Sequence, residues 1–473
     1  MTDLNEYFSL GLTNEDDPIE NEIVMNTIRT PPNTKSSSFN RVIFEIPKVG
    51  LLTKDSGIMV QPRQASGSTN TSSNIALNIV NGVLGCVKRC SMTIDGKELT
   101  NLENPSYPET NRLYAKNSPA RMLDFQNVAL GSAFSIVNLS QDFKTATHSG
   151  VEILNHTQLP VRNTAADSFV CTGNVLSKTD SANTKYMIPL HMLGLSFLRH
   201  ESLPVHLLKN REVQLSIEFD SDCRNWAFNG TGTALVASDC DVNLDACELI
   251  TTHIQQSEEL EAMLFDELKT NARTYNLFET YLIKQSLVNN AVGTATNSLV
   301  RLNLQNRELQ KLLQVQAPLS ADGSNPVCNQ VSESLGDVSL NHRSNGVFIF
   351  DRRVSNNAQL YYLNSLYNSN DGLKVSNNAW SQTKLQADVQ LVSTTKGYTS
   401  YCGRFNYIGV SYRNGNKGVL GGGVVQKTPL EIHYDSTARK AANPNQVGEK
   451  DLLFYPSVSK VLVISQNGVE MTF

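Results

Sequence analysis

The most suggestive chemistry in this chain is a run of alternating oxygen donors, Asp239, Asp241, Asn243 and Asp245. Their spacing is that of a calcium loop. Such a loop also needs glycine at its sixth position and a bidentate glutamate at its twelfth. Leu244 and Ile250 stand there instead, so the run reads as an acidic turn between two strands. Gly421-Gly422-Gly423, near Lys417, invites a phosphate loop. The Gly-x4-Gly-Lys-Ser/Thr spacing is missing, and the triplet reads as a bent β connection. The eight histidines show no His-x3-His spacing, and His191 and His206 flank a leucine-rich segment as ordinary, partly buried residues. No Gly-x-Ser-x-Gly elbow occurs. The eight cysteines (Cys86, Cys90, Cys171, Cys223, Cys240, Cys247, Cys328 and Cys402) form no Cys-x-x-Cys pair. They are expected to be reduced, mostly buried thiols, with Cys86 and Cys90 sharing a strand face. Sequence does not display which carboxylates meet in space. With only Trp226 and Trp380 as large platforms, sugar chemistry is disfavoured. The reading assigns no catalytic, cofactor-binding or metal-ligating residue and expects a structural or binding protein, not an enzyme.

Composition supports this. The 473 residues include 40% hydrophobic but only 18% charged side chains, and 48 asparagines. Asparagine favours turns and is depleted from strand interiors, so many short strands are expected. The bias of a coiled coil, a helical repeat array or a collagen is absent. A net charge of -5 gives no basic excess for binding nucleic acid through its phosphates. No run approaches 18 apolar residues, so no transmembrane helix is expected. The acidic, polar start, Met1 to Leu10, is unlike a secretory signal. The four Asn-X-Ser/Thr sequons, at Asn70, Asn138, Asn155 and Asn229, are expected to be unused.

Several elements are legible. Residues 1–37 read as an arm, with seven acids and no base in the first 24. Strand signals begin at Phe39, where Val42, Phe44 and Ile46 alternate with polar neighbours. Asn81-Gly82, Asp95-Gly96, Asn229-Gly230 and Asn467-Gly468 are hairpin-type turns. Val213 to Phe219 alternates with period two, as a half-buried strand does. Ser257 can cap a short helix whose stripe is Leu260, Leu264 and Leu268, with Met263 nearby. Strand signals resume at Tyr275, and Val469, Met471 and Phe473 read as one buried strand face. Long loops are expected at Thr53 to Ser73, Thr100 to Arg121, Pro160 to Thr184, Ala317 to Arg343 and Asp435 to Lys450. The organisation is all-β: an arm (1–37), a first sandwich (38–255), a helical linker (256–269) and a second sandwich (270–473).

Five segments in order resemble the double jelly-roll major capsid proteins of eukaryotic double-stranded DNA viruses, above all those of virophages and polinton-like viruses. They are Phe39 to Leu52 with its Pro-x-x-Gly, Gly85 to Gly96, and Ile188 to Leu195 followed by Leu203-Pro204 and Val213 to Phe219. The junction Cys247 to Glu261 and the run Gly346 to Tyr362 complete the set. The resemblance spans roughly 430 residues and leaves the first 37 outside.

The resemblance implies two tandem eight-stranded jelly rolls and a homotrimer of nearly hexagonal outline. Such capsomers tile an icosahedral virion shell, with neighbouring capsomers, a vertex penton protein and minor capsid proteins as partners. It implies no cofactor and no sequence-specific nucleic-acid binding. The alternative class is a non-viral two-domain β-sandwich that binds or hydrolyses glycans. A receptor-binding spike would show a repetitive stalk or a single β-domain. The acidic arm is expected at a subunit or minor-protein contact.

Overall fold

The computed structural model describes residues 24–70, 75–77, 81–116, 160–163, 168–171, 176–199, 202–229, 235–255, 257–289, 295–318, 337–355, 359, 363, 367, 407–412, 423–437, 448–466 and 468–472. Among them, sheets built from residues 24–255 take no strand from 273–472, and the reverse also holds. The chain therefore forms two tandem β-sandwiches. No helix among the described residues is long and apolar enough to cross a membrane.

The first sandwich opposes two five-stranded sheets. One is built on the central pair Arg41–Glu45 and Val213–Phe219, with Val87–Ile94 and Lys97–Glu103 beyond. In Val213–Phe219 every second residue is buried, as the alternation requires. Asp95 and Gly96 both have positive φ, at 49° and 73°, and close a two-residue turn between the last two strands. The other sheet is built on Glu248–Gln255, which pairs with Val24–Thr30 and with Gly57–Val60. Asn81-Gly82 makes no hairpin: Asn81 precedes the 3-10 helix Gly82–Cys86, whose residues are all buried. Cys86 thus lies in a helical turn and Cys90 in a strand, and they share a core rather than a strand face.

Two strands, Val24–Thr30 and Thr34–Ser36, occupy the end of the stretch that reads as an arm. The side chains of residues 25–30 and 34–36 are exposed or half-buried, so they carry no hydrophobic pattern. Backbone ladders to Glu248–Gln255 and Arg41–Glu45 hold them instead. The loop expected at Thr53 to Ser73 likewise contains Gly57–Val60 and Pro62–Gln64. Gly57–Val60 is almost wholly buried, so it lacks alternation. The loop expected at Thr100 to Arg121 contains the helix Ser106–Lys116, and that at Pro160 to Thr184 a hairpin, Pro160–Asn163 with Ser168–Cys171.

A ten-residue helix, Glu258–Glu267, stands between the two sets of strands. Leu264 and Leu268 are buried, whereas Met263 is 68% exposed and lies off the stripe. The second sandwich opposes a seven-stranded sheet to a four-stranded one. The larger is organised by one 18-residue strand, Gly448–Ser465, which pairs with Arg273–Thr280, Ile283–Asn289, Glu308–Pro318 and Gly468–Thr472. The smaller orders Ala295–Leu302, Leu430–Thr437, Asp337–Ser344 and Val347–Phe348 side by side.

The long strand buries both faces. Leu452, Phe454 and Val458 point into the core of the second sandwich. Leu453 and Tyr455 meet Leu102 and Tyr107 of the first. Leu462, Ile464 and Val469 join the main core of the first sandwich. The terminal strand therefore covers the first sandwich, where sequence reading gave its face to the second; Phe473 lies outside the described residues. Truncation before Gly468 should uncover Leu462 and remove Val469, each buried apolar side chain being worth ~1.5–3 kcal/mol. The melting temperature should fall; a truncated protein that melts with its parent would contradict this packing.

Candidate functional site

The oxygen-rich run Asp239 to Asp245 spends its side chains on separate partners. Asp239 accepts from Ser68 Oγ at 2.7 Å and from the Val236 N–H at 2.8 Å. Asp241 pairs with Arg63 at 2.7 Å and Asp245 with Lys35 at 2.8 Å. Asn243 caps the 3-10 turn Leu244–Ala246. These residues fasten the first sandwich rather than converge on one point. Gly421, Gly422 and Lys417 lie outside the described residues; Gly423 donates its N–H to Glu308 Oε1 at 2.9 Å.

The chemistry of burial is concentrated where the sandwiches meet. Lys460 is 4% exposed, on the seam side of the long strand. Its ammonium donates to Glu98 O at 2.9 Å, to Leu99 O at 2.8 Å and to Glu279 Oε2 at 3.2 Å. An ammonium has three donors, so all are matched by these three acceptors. Burial raises the Glu279 carboxyl above its ordinary value, and Lys460 opposes that shift. Lys97 donates to Val469 O at 2.6 Å, Arg211 to Gln466 O at 2.9 Å and Tyr455 to Asn104 O at 3.2 Å. Polar side chains of each sandwich thus end on backbone carbonyls of the other. A groove of about 930 Å³ opens beside them, lined by Lys97, Glu98, Glu103, Arg307 and Glu470 among others.

A second buried pairing stands nearby. Glu109, on the helix Ser106–Lys116, accepts from Arg112 at 2.8 Å and Arg199 at 2.5 Å. Burial would raise its carboxyl, but the two guanidinia overcome that and hold it below its ordinary value. Burial and the same two cations push His191 down to about 4. His191 is half-buried against Lys54 O at 3.3 Å, whereas His206 is fully buried with Nδ1 2.9 Å from Gly50 O. Three of the buried carboxylates, Glu109, Glu279 and Asp451, each sit on a cation. None of these is a paired acid and base poised for hydrolysis. Burial pushes the thiol of Cys247 up to about 12 and that of Cys90 further still, whereas a hydrogen bond with Cys240 lowers that of Cys223.

Sequence reading missed Lys460, because a lysine in a strand reads as its solvent face. The available signal was its setting, between Val458 and the run Val461 to Ile464.

The geometry defines a class first: two β-sandwiches in tandem, fastened side by side, which is the double jelly-roll fold. No family model matches the sequence, and no curated protein matches it. Solved structures do. A chain of the Sputnik virophage, from its cryo-EM structure, is 13% identical, with a TM-score of 0.58 over 95% of this chain and 88% of that one. VP54 of PBCV-1, fitted into a reconstruction of Sputnik, is 12% identical, with a TM-score of 0.57 over 98% and 99%. The Faustovirus major capsid protein is 11% identical, with a TM-score of 0.53 over 96% and 92%. At this identity the likeness establishes the fold, over nearly the full length of each chain.

Two predictions follow from the buried charges. Lys460→Met leaves Glu279 and two carbonyls without their cation, and removing one partner of a buried pair costs about 3–5 kcal/mol. The urea midpoint should fall accordingly, and Glu279→Met in the same chain should restore part of it; a single variant as stable as the parent would refute the role. His342 is 1% exposed, its Nδ1 2.6 Å from the Tyr412 hydroxyl, and burial pushes it down to about 3 from 6.5. The fold refuses a proton that the unfolded chain accepts. Its stabilising effect is complete above pH 6.5 and declines as pH falls toward 3, by roughly 1.4 kcal/mol per unit. His342→Asn should flatten the loss of melting temperature between pH 7 and pH 4; an unchanged slope would exclude His342 as its source.

Proposed function

We propose that this chain is a major capsid protein. It is a structural protein whose homotrimers form capsomers of near-hexagonal outline, tiling an icosahedral virion shell around a double-stranded DNA genome. Its partners are neighbouring capsomers, a penton protein at the vertices and minor capsid proteins. The first jelly roll ends at residue 255 and the second begins at 270, with Glu258–Glu267 between them.

The observation that carries this reading is the two-faced sheet. Two sandwiches whose relative placement is set by a buried seam make one wide block, and three such blocks place six sandwiches around an axis. Full-length similarity to the viral chains above supports it. The surface suits a lattice: with 18% charged residues and abundant amides and hydroxyls, subunits can bury polar area without stranding many charges.

The solution mass decides the matter, measured by light scattering with negative-stain images of the same peak. A particle near ~157 kDa, with three-fold symmetry and a hexagonal outline, is expected for three 52.2 kDa chains. A monomer that never assembles would overturn the proposal.

A further inference from the structure

Among the described residues, none covers the outer face of the four-stranded sheet of the second sandwich around Leu299 and Phe348. One cross-strand row on it runs Arg301, Glu431, Arg343, Phe348, each residue directly opposite the next. Glu431 serves two cations, accepting from Arg301 at 3.1 Å and Arg343 at 3.4 Å. The Phe348 ring is 49% exposed, with the Arg343 guanidinium 5.7 Å from its centre and the His433 ring 5.3 Å away. Leu299, opposite His433 in register, is 51% exposed, and Val347, at the edge of the sheet, is 69% exposed. Asn345 and Gly346 turn the hairpin there, and the exposed Lys427 donates its backbone N–H to Asn345 Oδ1 at 2.6 Å. Arg353 pairs with Asp435 on the neighbouring strand. Among the described residues, Arg301, Arg343, Arg353 and Lys427 thus stand with Glu431, Asp435 and the exposed Asp351 around an exposed apolar centre. Apolar patches with a polar rim mark binding sites.

A complementary segment exists in the same sequence. Residues 1–22 carry seven carboxylates and no base, interleaved with Leu4, Tyr7, Phe8, Leu10 and Leu12. This segment precedes Val24–Thr30, on the edge of a first-sandwich sheet. The basic face belongs to the second-sandwich sheet that does not meet the first; the sheet that does is the one holding Gly448–Ser465. Twenty-two extended residues span up to roughly 70 Å, enough to reach a copy standing alongside.

We propose that residues 1–22 of a second copy dock on the face formed by Arg301, Arg343 and Phe348, acidic groups on the guanidinia and aromatic or leucine side chains on Phe348 and Leu299. The proposal rests on the assembly reading only in requiring a second copy.

The test titrates a fluorescent peptide of residues 1–22 into full-length protein kept as free subunits. Saturable binding is expected, weakened at least tenfold by Arg301→Gln with Arg343→Gln, by Phe348→Ala, and by roughly 0.5 M salt, which screens exposed charges. Lys97→Gln, at the seam, should leave it unchanged. Should the double variant fold poorly, the salt titration of the parent gives the same answer. Absent binding, or binding indifferent to salt and to all three substitutions, would overturn the proposal. Hydrogen exchange at residues 347–349 supplies the second readout. Protection that appears only in the assembled protein supports docking between copies. Protection already present in dilute monomers would place the arm on its own chain and end the proposal. Shells whose residues 347–349 exchange freely would end it too, while leaving the capsid reading intact. Peptide binding by a chain that never assembles would support the contact and defeat the capsid reading.

Discussion

The strand Gly448–Ser465 has no solvent face along much of its length, and this requirement ties the two sandwiches together. Successive strand residues point to opposite sides of a sheet. Leu452 and Phe454 fill one core while Leu453 and Tyr455 press against the neighbouring sandwich. Neither side can be exposed without uncovering a stripe of large apolar groups. Lys460, lying in the same strand, is buried for the same reason, and its three acceptors follow from that burial. The placement of one sandwich on the other is thus fixed by side-chain alternation in a single segment, more than by the helix that connects them in sequence.

Legibility in the sequence followed the solvent. Where a strand has one wet face, as in Val213–Phe219, alternation displays it. Turns that need positive φ were visible at Asp95-Gly96, and Asn345-Gly346 would have been visible by the same rule. Strands buried on both sides, such as Gly57–Val60, show no alternation and read as loop. Strands exposed on both sides, such as Val24–Thr30, show none either, because hydrogen bonds to Glu248–Gln255 hold them. Asn81-Gly82 shares its dipeptide with a hairpin, but the buried run after it makes helical turns instead.

The polar part of the molecule was less legible for a related reason. A sequence shows which residues carry charge, not which of them lose water. Asp239 to Asp245 has the oxygen spacing of a ligand set but reads as an acidic turn, and its side chains form separate fastenings. Glu109 and Lys460 are charged residues held by buried partners. Burial here sets the ionisation of its neighbours as well: His191, His206 and His342 are all held below the ordinary histidine range, burial being the first cause each time.

The terminal hairpin has a consequence for biosynthesis. Lys460, Leu462, Ile464 and Val469 cover Leu99 and the edge around it, yet they are translated after every strand of the first sandwich. Domains begin folding in the order in which they are made. Between the synthesis of residue 255 and that of residue 460, the nascent first sandwich must therefore display an apolar flank whose partner has not been made. That interval is when a crowded ribosome population is most prone to mispairing, and when a holding chaperone has something to grip. Docking of the last hairpin closes the window, so a finished block is the first species with its seam dry.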